Sequence, residues 1–189
     1  MHDLDRPTKY YLDTEFYESG HQNPIRLISI GLVCEDGREL YLENSEFDWS
    51  IVPADHWIQE NVRPSLLRTQ GKARTYQVIH DTTSGITDGY MSRNEMAKAI
   101  MGFVLCRPNP VFYGYFADYD WVVFCQLFGR MVDLPSGFPY YCRDLKQLMD
   151  GQGRTKEWKD AFCPDPEGEH NALVDARWNM KLHKALMEL

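Results

Sequence analysis

Tyr10-Tyr11-Leu12-Asp13-Thr14-Glu15-Phe16 is the stretch from which the rest of this chain can be read. Its aromatic and apolar residues predict a strand, yet two carboxylates sit inside it. Alternate side chains of a strand share a face, so Asp13 and Glu15 project together while Thr14 turns away. Like charges at that spacing repel, and a divalent cation is the usual means of holding both ionised. The plainer alternative is a solvated edge strand carrying two surface acids.

Outward from this stretch, a turn-rich connection leads to residues 26–34, a second strand that is apolar on both faces as a central strand should be. Asp36-Gly37 turns the chain into a third strand at 39–43, completing an antiparallel meander. Residues 55–62 predict a short helix ended by Pro64, and residues 81–89, rich in Thr, Ser, Gly and Asp, predict a loop. Ser92 and Glu95 form a capping box for a helix running to about Cys106. A fourth strand is expected at 111–116, then a helix whose residues 121–128 are nearly all apolar and so must be buried, stopped by Gly129, and a fifth strand at 138–142. A short helix capped near Asp144 ends around Gly151, residues 152–169 predict a mobile loop, and the longest helix spans 171–188. The alternation is that of a mixed α/β domain.

At 189 residues, with 43% hydrophobic and 13% aromatic content, the chain suits one domain spanning 1–189. The first residues lack the basic and apolar pattern of a secretory signal, and no apolar run approaches the about 20 residues that span a bilayer. Five widely spaced cysteines, Cys34, Cys106, Cys125, Cys142 and Cys163, suit reduced thiols in a cytoplasmic protein. The net charge of -8 argues against a protein that coats duplex nucleic acid, though not against one that grips a single chain end. Arg63, Arg68, Lys72 and Arg74 form a local basic run without an acid, a candidate phosphate patch for which a solvated face is the more ordinary reading.

Further acids stand downstream. Asp118 and Asp120 lie where the fourth strand meets the buried helix, the sheet end at which α/β folds bind ligands. One of them, Asp118, is placed to cap the helix, and a single cap leaves the other aspartate over. Asp175 shares a helical face with Asn171, Ala172 and Asn179, whereas His170, five residues earlier, falls just before the helix on the approach from the loop.

Taken together, Asp13-Thr14-Glu15, Asp120 and His170-x-x-x-x-Asp175 resemble, in order, the three motifs of the DEDDh exonucleases of the ribonuclease H-like superfamily. That family includes oligoribonuclease, ribonuclease T and proofreading domains, and this chain is most similar to its compact bacterial and phage exoribonuclease branch. Phe116 stands where the family's second motif commonly has Asn, so Asp118 and Asp120 both stay candidates for that aspartate. The resemblance implies a five-stranded mixed sheet of order 3-2-1-4-5 flanked by helices. It also implies that Asp13, Glu15, Asp120 and Asp175 hold two Mg²⁺ or Mn²⁺ ions, with His170 as general base. The implied reaction is 3′-to-5′ hydrolysis of single-stranded nucleic acid, RNA favoured over DNA, releasing nucleoside 5′-monophosphates. Phe16 is a candidate to stack the terminal base or a plain core aromatic, and dimers are common among the related small exoribonucleases. The alternatives are an exodeoxyribonuclease and a non-catalytic module of the same fold that binds a nucleic-acid end or a nucleotide. A two-carboxylate glycosidase fails, because Asp13 and Glu15 face the same way and cannot flank a bond.

Overall fold

The computed structural model describes residues 6–21, 23–71 and 86–188. At its centre is β1 (Thr8–Tyr17), antiparallel to β2 (Arg26–Cys34) on one side and parallel to β5 (Pro110–Gly114) on the other. Beyond β2 lie β3 (Glu39–Asn44) and, parallel to it at the edge, β4 (Ile86–Met91). The opposite edge is β6 (Cys142–Asp144), alongside β5. The order β4-β3-β2-β1-β5-β6 contains the expected arrangement and adds a sixth strand.

That addition corrects the reading of 81–89 as a loop. From Ile86 the chain is a strand although its Asp88 and Gly89 carry little strand propensity; positions 81–85 lie outside the described residues. The last strand also moves, from the expected 138–142 to Cys142–Asp144, because Phe138 is drawn into the core against Phe112 and Phe124.

Strand alternation divides the core in two. Tyr10 and Leu12 point to one face, where α2 (Arg93–Leu105) and α3 (Asp118–Gln126) bring Met96, Ile100 and Phe124. Tyr11 points to the other, covered by α4 (Leu145–Gly151) and α6 (Ala172–Met187) through Leu145, Leu173, Ala176 and Leu182. Each fully buried Leu or Phe contributes about 1.5–3 kcal/mol, so these two layers hold the sheet. The capping box of α2 forms as read, Ser92 accepting from the Glu95 N–H while the Glu95 carboxylate accepts from the Ser92 N–H. The connection between β3 and β4 carries α1 (Trp57–Asn61) and a small apolar cluster of Tyr17, Ile28, Phe47, Val52, Ile58 and Val62.

Two further expectations are corrected. Within 152–169, read as a mobile loop, α5 (Lys156–Phe162) forms on a Thr155 cap that accepts from the Trp158 N–H. The helix expected to be buried along 121–128 starts at Asp118, one residue before a cap at Asp118 would allow, and leaves Val122 exposed, while Trp121, Val123, Phe124 and Cys125 are buried. Among the described residues no helix is long and apolar enough to cross a membrane.

Candidate active site

The site lies where β1 outruns its parallel neighbour. Pairing between β1 and β5 ends at Tyr11 opposite Tyr113, so Asp13, Thr14 and Glu15 extend past the end of β5. Asp13 and Glu15 share the face of Tyr11, and α6 packs on that face. Its first turn carries Asp175. Carboxylate oxygens of Asp13, Glu15 and Asp175 lie within 4.8 Å of one another.

Two features hold α6 in that place. Asp13 stands opposite Gly31 of β2, and a Cβ on Gly31 would lie 2.2 Å from the Ala172 carbonyl oxygen. Only glycine lets the start of the helix press against the strand. One turn beyond Asp175, the buried Asn179 Nδ2 donates to the Leu12 carbonyl at 2.9 Å, tying the helix to β1 just before Asp13.

Asp120 reaches the same strand from the other side. It is buried on α3, and one carboxylate oxygen accepts both the Thr14 N–H at 2.8 Å and the Thr14 hydroxyl at 2.5 Å. The backbone N–H that β5 no longer pairs thus finds its acceptor. Asp118 behaves differently: it is exposed at the first position of α3, and the cap position belongs to Ala117, which offers no side-chain acceptor. The expected cap by Asp118 is therefore absent. Instead Asp144, at the end of β6, accepts the Ala117 N–H at 2.7 Å and the Gln147 N–H at 2.8 Å, fastening the starts of α3 and α4 together.

His170 precedes the Asn171 cap of α6 in a left-handed conformation, φ 68°. Its N–H donates to Asp175 at 3.0 Å, and its carbonyl lies 2.9 Å from the Ser65 hydroxyl, whose one proton it shares with the Val62 carbonyl at 2.8 Å. Its ring meets Trp57 edge-on, with centroids 4.5 Å apart. Its Nε2 lies 3.9 Å from the Glu169 carboxylate. Phe16 is half-buried and stacks on Tyr119, with ring centroids 5.9 Å apart. Of the five residues picked from the motifs, Asp13, Glu15 and Asp175 meet directly, Asp120 joins them through β1, and His170 is tied by its backbone to Asp175. Thr14, Gly31, Asn179 and Ser65, which hold them in place, carried no sequence signal of their own beyond the helical face shared by Asn179 and Asp175.

The electrostatics are those of a site short of positive charge. Burial, followed by the charges of Asp120, Asp175 and Glu15, holds the Asp13 carboxyl well above the ordinary range. Burial and the charges of Asp175 and Asp120 push Glu15 up to about 8. Burial pushes Asp120 and Asp175 up to about 6, against the opposing hydrogen bonds from Thr14 and from the His170 backbone respectively. Among the described residues no Lys or Arg forms an ion pair with any of the four. A crowded set of hard oxygen donors with no organic counter-ion fits a divalent cation such as Mg²⁺ or Mn²⁺.

The architecture is that of an exonuclease domain. Exonuclease I superposes with a TM-score of 0.65 over 97% of this chain at 14% identity, and the chain spans 41% of that protein's length. Two Mycobacterium tuberculosis proteins, 3′-5′ exoribonuclease Rv2179c of strain H37Rv and a 3′-5′ exoribonuclease of strain CDC 1551, are each 34% identical to it over 175 residues. Those residues cover 89% of this chain and 87% of each relative. The chain belongs to the 3′-5′ exoribonuclease Rv2179c-like domain family, whose model matches residues 8–187.

Proposed function

We propose that this exoribonuclease removes nucleotides one at a time from the 3′ end of single-stranded RNA, releasing nucleoside 5′-monophosphates, with Asp13, Glu15, Asp120 and Asp175 as metal ligands. The observation that carries this reading is the convergence of three carboxylates within 4.8 Å of one another with no ion-paired Lys or Arg among the described residues. Two Mg²⁺ or Mn²⁺ ions held by these acids would supply positive charge to the phosphate and lower the pKa of a bound water.

The chain's own residues do the rest. His170 is the general base that takes the proton of the attacking water. Its backbone is held at both ends, by Asp175 and by Ser65, which limits the arc through which the imidazole can move. Water oxygen bonds to phosphorus as its proton passes to His170, the bond from phosphorus to the preceding 3′ oxygen breaks, and that oxygen takes up a proton from solvent. Phe16, backed by Tyr119, offers a ring for the terminal base, a contact that tolerates any base. Asp120 fixes the strand that carries the first two acids as well as serving as a ligand.

The test is a time course with 5′-labelled single-stranded RNA and DNA of matched sequence, in Mg²⁺, Mn²⁺ or EDTA. A ladder that shortens from the 3′ end of RNA, needs the metal and disappears in Asp13→Asn and His170→Ala is the expected result. Faster cutting of DNA would make the protein an exodeoxyribonuclease. No cutting by the folded protein under either metal would leave a binding module of the same fold.

A further inference from the structure

The connection between β3 and β4 holds a second recess that the catalytic reading leaves unused. It has a volume of about 430 Å³ and is lined in part by Glu43, Asp48, Trp49, Arg63, Arg68 and Tyr90. Arg63 lies over the Trp49 ring and Arg68 over the Tyr90 ring, each with its guanidinium carbon 5.1 Å from the ring centroid. Arg63 spends one N–H on the Gln59 side chain and Arg68 spends one on the Tyr90 hydroxyl. A guanidinium has five donors, so most of each fork is left to a ligand.

The two acids in the lining are already engaged. Glu43 accepts from the backbone N–H groups of Leu67 and Arg68 and from the Tyr41 hydroxyl. Asp48 caps the three-residue turn Trp49–Ile51 by accepting from the Ser50 N–H. Among the described residues neither Arg63 nor Arg68 forms an ion pair. In a chain of net charge -8, two guanidinium groups at one pocket, free of ion pairs among the described residues although the Arg68 charge also acts on Glu43, are where a phosphate would go.

The pocket is joined to the candidate active site by a short piece of chain. Arg63 begins the 3-10 turn Arg63–Ser65, and Ser65 ends it. The Ser65 hydroxyl shares its proton between the Val62 and His170 carbonyls, and the Ser65 carbonyl accepts from Asn171 Nδ2. One turn thus presents a cation to the pocket and a clamp to the histidine.

We propose that this pocket holds an RNA nucleotide upstream of the 3′-terminal one, its phosphate gripped by Arg63 and Arg68 and its base on the arginine and aromatic faces. The inference rests on the exoribonuclease reading. Phosphate donors and stacking faces together are what sequence-tolerant binding of a single strand needs, and the volume suits one nucleotide.

The experiment compares two substrates in wild type, Arg63→Gln and Arg68→Gln. One is an RNA of about 15 nucleotides, long enough to cover several subsites; the other is the p-nitrophenyl ester of a nucleoside 5′-monophosphate, which has no upstream nucleotide. Each substitution is expected to raise KM for the RNA about tenfold or more, the loss of a charge-assisted contact, and so to lower the RNA-to-ester ratio of kcat/KM. The slope of log KM against log salt should fall by about 0.7 for each phosphate contact removed. Arg68→Lys keeps the charge and loses the fork, and should fall between the two. Equal losses on both substrates would mean damage to the catalytic centre or the fold and would overturn the proposal, as would no loss on either. It would also be overturned if a free nucleoside monophosphate, bound through these arginines, slowed both substrates alike, which marks a free-nucleotide site. Failure of wild type to cut either substrate would count against the exoribonuclease reading itself.

Discussion

Thr14 is the residue on which the acidic site turns, though it carries no charge. Its hydroxyl and its N–H both end on one oxygen of Asp120, so the aspartate is oriented by a side chain on the strand it serves. Thr14→Val keeps the shape and the N–H contact and removes the hydroxyl. The loss of one hydrogen bond to a carboxylate should destabilise the fold by about 1–3 kcal/mol, read as a lower urea midpoint. The Mg²⁺ concentration for half-maximal hydrolysis should rise as Asp120 loses its alignment, and Thr14→Ser should restore much of both. An unchanged midpoint together with an unchanged metal requirement would show that Asp120 is positioned by something else. The acids themselves were legible in the sequence, because carboxylates on an apolar strand demand a reason. Thr14 was not: a threonine facing away from such a pair looks like any strand residue until α3 is packed behind it.

At the scale of elements, the site depends on how closely α6 approaches β2. Gly31 permits this, since a methyl there would meet the Ala172 backbone, which cannot swing aside as a side chain could. Gly31→Ala should therefore push the first turn of α6 outward and carry Asp175 with it. A displacement of about 1 Å costs about a hundredfold in rate, while overpacking of this kind costs about 1–3 kcal/mol in stability. Activity assayed well below the melting temperature should thus fall far more than the folded fraction; parallel losses would mean that the helix is not displaced. Among the elements, those with strong local signals were readable: the meander, the Ser92 and Glu95 box, and the long last helix. The elements that were missed draw their order from outside themselves. β4 is set by pairing along β3, opposite Glu39–Asn44, and its own Asp88 and Gly89 argue for a turn. α5 is short and largely exposed, and is fastened by Lys159, which is buried beside Trp178 and ion-paired to Asp165 and Asp160.

For the whole molecule, four crowded carboxylates make folding and metal binding a single problem. A carboxyl whose pKa is higher in the folded protein than in the unfolded chain holds a proton there that the unfolded chain has already lost. In that interval the native state binds more protons, so stability falls as pH rises. The loss begins near the unfolded value, 4.5 for Glu15, and is complete above its folded value of about 8; for Asp120 and Asp175 it is complete above about 6. Metal-free protein should therefore lose stability between about pH 5 and pH 8, by about 4 kcal/mol from Glu15 alone and further from the two aspartates below pH 6. Divalent cations reverse the sign of the local field, so the gain in melting temperature on adding Mg²⁺ should grow across the same interval and be small at pH 5. Asp13→Asn removes one charge from the cluster, so it should flatten the pH slope of the metal-free protein while also weakening the response to Mg²⁺. Thermal unfolding in EDTA and in Mg²⁺ from pH 5 to pH 8 reads both effects. A metal-free stability that stayed level or rose through this interval would mean that the four carboxylates are not held together as charges awaiting a cation.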